Sequence, residues 1–121
     1  CSLCKEEEET VIHLFSDCHI VSAFWTQVNN WFVNHMGTYL NMTTFSIIFG
    51  NLSKHCTVLS NLFIVLGKIY IFRNRHSVLR LSSFISFVAD VCKLEYIIAK
   101  RGGNTQKHIG KWGKFYLGNF A

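Results

Sequence analysis

An all-α fold is the expectation for this chain, and three features of its sequence carry it. Proline is absent from all 121 residues, where average usage would place about six. Apolar residues recur at helical spacing along most of the chain, and the breaks fall at glycines. Half of the residues are apolar and only 16% are charged, which excludes disorder, a state that needs the reverse balance. At 14.0 kDa the chain suits one domain. The predicted architecture is a small Cys/His metal-binding head over residues 1–18, followed by an irregular helical bundle over residues 19–121. The two are expected to pack as one structural unit, and Cys at residue 1 suggests a fragment of a larger polyprotein.

The elements follow in order. Glu6 to Phe15 is predicted as a first helix, because acids suit the positive N-terminal end of a helix dipole. Ile20, Phe24, Val28, Trp31 and His35, with Val21, Trp25 and Phe32 beside them, form one wide stripe that Gly37 ends. A short helix or turn is predicted over Thr43 to Phe49, closed by Gly50. From Cys56 to about Arg73 the sequence is apolar almost all round, which predicts a buried central helix between its neighbours. Lys68 to Phe72 alone could also be a strand. Leu81, Phe84, Ile85, Val88, Val91, Cys92 and Ile98 stripe a further helix that ends in Lys100, Arg101 and Gly102. A last basic segment covers Gln106 to Phe115. Trp25, Trp31, Phe63, Leu66, Phe84 and Val88 are the expected core, since each sits on an apolar stripe.

Three of the five cysteines crowd into the first 18 residues in the order Cys1-x2-Cys4-x8-His13-x4-Cys18. A two-residue gap lets two thiolates on one tight turn reach a single ion. A four-residue gap sets His13 and Cys18 about a turn apart. Three thiolates and an imidazole make a standard closed set for structural zinc, so Cys1, Cys4, His13 and Cys18 are the predicted ligands of Zn2+. His19 is the alternative to Cys18, less favoured because thiolate is the stronger ligand. Cys56 and Cys92 read as small buried hydrophobes. An odd, unevenly spaced cysteine set fits a reducing compartment.

Charge is divided unequally. Residues 1–18 hold one base and five acids, a balance of −4, while residues 19–121 hold eleven bases and two acids, +9. A cationic body points to a polyanionic partner, nucleic acid first. The candidate contacts are Lys68, Arg73, Arg75 and Arg80 around the turn after the central helix, with Lys107, Lys111 and Lys114 in the tail. In the tail these lysines alternate with Trp112, Phe115 and Tyr116, a mixture suited to RNA or single-stranded nucleic acid. A competing reading makes Ile109, Trp112 and Tyr116 a stripe that docks the last helix, and it is preferred for Trp112.

Other classes are poorly supplied. There is no phosphate-cradling glycine loop and no His-Glu-x-x-His, and beyond residues 6–9 the acids are only Asp17, Asp90 and Glu95. The segment is therefore expected to be non-catalytic. The most apolar stretch, Val58 to Phe72, is broken by Ser60, Asn61, Gly67 and Lys68 and falls short of a membrane span. No secretory signal is visible, so the expectation is a protein that is not secreted.

Cys1-Ser2-Leu3-Cys4, Glu8-Glu9-Thr10-Val11-Ile12-His13-Leu14-Phe15, Asp17-Cys18, Phe24-Trp25 and Trp31-Phe32 together resemble the zinc-binding segment near the C-terminus of LINE-type (non-LTR) retrotransposon reverse transcriptases. Ile47-Ile48-Phe49-Gly50, Leu66 to Phe72, Glu95 to Ala99 and Lys111-Trp112 look like later blocks of the same region, so nearly the whole chain is covered. One departure is His19, where that family often has proline after the last Cys. The resemblance implies a mostly helical, non-catalytic segment that follows a polymerase domain and helps to hold RNA. Its partners would be RNA and the upstream reverse transcriptase domain, in cytoplasmic and nuclear ribonucleoprotein. The alternative is a structural or protein-interaction module that braces the polymerase core.

Overall fold

The computed structural model describes residues 1–40, 42–50 and 58–119, with side chains to Phe115. Within them every regular element is a helix, as the sequence predicts. A helical turn opens at Val11 and passes into a π-helical turn over His13–Asp17. Five α-helices follow: α1 His19–Met36, α2 Thr44–Phe49, α3 Val58–Arg73, α4 Leu81–Arg101 and α5 Thr105–Asn119.

The helix ends follow local chemistry. Gly37 stops α1 in the left-handed region at φ 76°, its N–H reaching the Val33 carbonyl at 3.0 Å. Thr43 caps α2, its hydroxyl accepting from the Ser46 N–H at 3.1 Å. Gly102 closes α4 after Lys100 and Arg101, donating to the Ile98 carbonyl at 3.1 Å. The first predicted helix needs correcting. Residues 1–10 form turns, and helix begins only at Val11, behind Thr10, whose hydroxyl accepts from the His13 N–H at 3.1 Å. The acids at 6–9 serve the turns instead. Ile69–Phe72 is helix and not strand, because α3 packs as one continuous element. Cys56, the expected start of that helix, lies outside the described residues.

The core is a knot of rings centred on Phe63 of α3. Phe63 meets Phe32 of α1 at 5.0 Å, Phe84 of α4 at 5.9 Å and Phe115 of α5 at 6.2 Å, in edge-to-face geometry. Trp25, Phe63, Leu66, Phe84 and Val88 are buried as expected. Trp31 is only half-buried, since its outer face carries the His35 imidazole, stacked at 4.2 Å. Ile98 and Ile109 are exposed, contrary to the stripes that placed them inward. The inward face of α5 carries His108, Trp112 and Phe115 instead. Glu95 of α4 holds that face, accepting from the Trp112 indole N–H at 2.6 Å and from Lys111 Nζ at 3.1 Å.

Gly67 decides how closely α3 approaches α1. A Cβ there would stand 2.3 Å from the buried Trp25 ring. Gly67→Ala should gain up to about 1 kcal/mol of helix propensity and lose about 1–3 kcal/mol to overpacking. The expected result in denaturant unfolding is a net loss of stability, whereas an ordinary propensity gain would raise it. Burial also pushes the His108 imidazole below its usual pKa, against the pull of nearby Glu95. The unfolded chain then takes up the proton more readily, so this stabilisation is complete above about pH 6.5 and fades as pH falls towards the lower folded value. Thermal melts between neutral and mildly acid pH should show a shallower acid loss for His108→Gln than for the unaltered chain.

Candidate metal centre

The four predicted ligands come together. One ligand atom from each of Cys1, Cys4, His13 and Cys18 lies within 4.8 Å of all the others. Cys4 Sγ stands 3.3 Å from His13 Nε2, and Cys1 Sγ stands 4.0 Å from Cys18 Sγ. Ligands around a small tetrahedral ion, at about 2.3 Å for sulfur and about 2.0 Å for nitrogen, are separated by about 3.5–3.8 Å. The group therefore fits a metal ion with only small adjustments. His19 is exposed and outside the converging set.

Three local devices build this geometry. The Lys5 N–H closes a turn onto the Cys1 carbonyl at 2.8 Å, and Lys5 takes φ 59° to do so. That turn presents Cys1 and Cys4 side by side. The π-helical turn presents the other pair. Its Cys18 N–H donates to the His13 carbonyl at 2.8 Å, a bond between residues five apart. In an α-helix, residues five apart sit about 140° around the axis from each other. The wider turn brings their side chains to one side, and Cys18 then leads directly into α1, fully buried. Finally, Glu7 and Glu9 pin the loop. The Cys1 ammonium donates to the Glu7 carbonyl, and the Ser2 N–H donates to Glu9 Oε1 at 2.9 Å. Contacts from Ser2 hold the Glu9 carboxyl below its usual range.

Electrostatics prepare the thiol and the imidazole. Backbone hydrogen bonding from Glu6, opposed by burial and helped by His13, the Glu7 backbone and Cys18, brings the Cys4 thiol down to about 7. A thiol so lowered supplies thiolate, the form that binds metal, near neutral pH. Glu7 Oε2 lies 3.5 Å from His13 Nδ1, leaving Nε2 to face the sulfurs. A carboxylate on the far nitrogen fixes which tautomer a ligating histidine adopts. The sequence reading missed Glu7 and Thr10, although both stand in the short stretch between Cys4 and His13.

The predicted nucleic-acid contacts do not form one surface. Lys68 Nζ donates to the Ile48 carbonyl at the end of α2, at 3.2 Å, and Lys114 Nζ donates to the Met36 carbonyl at the end of α1, at 3.2 Å. Lys111 is paired with Glu95. Arg73 lies over the Phe87 ring at 5.8 Å, and Arg75 lies over Phe72 at 4.1 Å while donating to the Phe72 carbonyl. Arg80 and Lys107 are exposed. Trp112 and Phe115 have no exposed surface, so neither stacks on a base, and the docking role preferred for Trp112 is the observed one. The side chain of Tyr116 lies outside the described residues. Among the described residues, no helix is long and apolar enough to cross a membrane. Comparisons of the chain with protein-family models, curated proteins and solved structures give no match.

Glu7→Gln should weaken metal binding about 10- to 100-fold, the usual cost of losing the carboxylate behind a ligating histidine. Glu8→Gln, whose carboxylate is exposed and away from His13, should leave affinity unchanged. Competition with a chromophoric chelator measures both, and equal affinities would remove Glu7 from the centre.

Proposed function

We propose that this chain is a zinc-braced, non-catalytic segment of a LINE-type retrotransposon reverse transcriptase that holds RNA or other single-stranded nucleic acid beside the polymerase domain. The observation that carries the reading is the convergence of Cys1, Cys4, His13 and Cys18, the same residues on which the family resemblance rests. Zinc is the metal of choice for three thiolates and an imidazole, a set that leaves no position open for water or substrate. Its role is then structural, holding a head whose own apolar content is small. The excess of +9 over residues 19–121 supports a polyanionic partner. With Lys68, Lys111 and Lys114 engaged within the chain, Arg75, Arg80 and Lys107 become the main candidates for phosphate contact, with Arg73 beside them. The binding would be electrostatic, without the ring stacking that the tail sequence suggests. Ribonucleoprotein in the cytoplasm and nucleus is the setting that follows.

Leu94, Ile97 and Ile98 are exposed on α4 and support a second reading, in which the segment braces an upstream reverse transcriptase domain.

The purified chain should carry one zinc per molecule by elemental analysis and bind a single-stranded RNA oligonucleotide in fluorescence anisotropy. Each phosphate contact adds about 0.7 to the slope of log affinity against log salt. Replacing Arg75, Arg80 and Lys107 together with Gln should flatten that slope by about 2 and leave the helical content intact. A zinc-loaded chain indifferent to RNA at low salt would leave the bracing reading alone, and a chain without zinc would remove the structural metal.

A further inference from the structure

The apolar character of α3 continues around the whole helix, yet only one side of it meets the core. Phe63, Leu66 and Tyr70 face inward. On the opposite side Val65 is 45% exposed, Ile69 38% and Phe72 50%, and this line continues to half-buried Leu62 and exposed Val58. A helix that is apolar all round is ordinarily covered all round. The spacing of Val58, Leu62, Val65, Ile69 and Phe72 alternates four and three residues, the repeat that seats one helix against another, knobs into holes. The seam spans about 21 Å, four turns of helix.

Charge beside the seam selects the occupant. In that repeat Lys68 and Arg73 stand at the two flanking positions, g and e, which choose partners by charge. No acid occurs anywhere in α3. Two copies of α3 packed in parallel would set Lys68 of one against Arg73 of the other. Packed antiparallel, each cation would meet its own duplicate. Both arrangements of a second copy place like charges together.

We propose that the outer face of α3 is a docking site for one amphipathic helix of a different protein segment, apolar along its seam and acidic on its flanks. The site needs neither the metal nor RNA, and the variants that test it at the seam change no cation.

The test uses the full metal-loaded chain and two synthetic helical peptides of about fifteen residues, both with Leu along the seam. One has Glu at the flanking positions and the other has Lys. The Glu peptide should bind at least about tenfold more tightly than the Lys peptide, a difference of about 1.4 kcal/mol. Arg73→Glu should narrow that preference or reverse it. The double variant Val65→Glu with Ile69→Glu should lose the Glu peptide while keeping its helical circular dichroism, since both positions face outward. Four results would overturn the proposal: equal affinity for the two peptides, no binding of either, a dimer in sedimentation that the double variant dissolves, or binding through Val65 and Ile69 to anionic lipid vesicles in place of the peptide.

Discussion

The head and the bundle are joined through one indole. Trp25 on α1 lies with its ring over Gly67 of α3 and gives its N–H to the Phe15 carbonyl in the π-helical turn, at 2.8 Å. The ring is buried, so that N–H has no water to turn to and its bond to Phe15 is the one that satisfies it. The same side chain therefore sets the distance between α1 and α3 and the position of the turn that carries His13. A residue larger than glycine at position 67 would push the indole outward, and the pull would reach the metal ligands two elements away. Ser16 and Thr44, whose hydroxyls meet at 3.0 Å, tie α2 to the same turn.

Charge in the body is spent largely on architecture. Lys68 and Lys114 each end on a carbonyl at the C-terminus of another helix, where the backbone dipole presents partial negative charge. Glu95, one of the two acids after residue 18, takes both Lys111 and the Trp112 N–H, so one carboxylate docks α5 on α4. Burial lowers the Lys68 ammonium from its usual range, as expected for a cation drawn against protein. A net charge counted from sequence thus overstates what a polyanion would meet. The cations left at the surface sit on the turn between α3 and α4 and at the start of α5.

Helix class, most helix ends and the ligand set were legible in the sequence because each rests on local chemistry. Glycine at 37, 50 and 102 ends helices wherever they are packed, and thiols two residues apart share an ion through one turn. The acidic run misled, since Glu6 to Glu9 look like the first turn of a helix while Glu7 and Glu9 are engaged by Cys1, His13 and Ser2. The π-helical turn was not legible, because no residue type prefers it and it is closed by the Cys18–His13 bond itself. The tail misled for a tertiary reason. Ile109 and Trp112 share a plausible stripe, but Glu95 pulls the Trp112 N–H inward and rotates the helix to bury His108 and Phe115 instead.

The two parts of the molecule differ in how far apart along the chain their contacts lie. Cys1 and Cys18 are 17 residues apart, whereas the Lys114 contact that helps hold α5 to α1 spans 78. Closing the longer loop costs about 1.3 kcal/mol more in chain entropy, and nothing is gained until the helices between have formed. The ligand loop needs no such assembly. A chain whose bundle has failed could still close its head around an ion, so metal content and a folded core are separate properties of this molecule. Stoichiometric metal is evidence for the first eighteen residues alone, and the state of the helices has to be read from the aromatic rings that pack around Phe63.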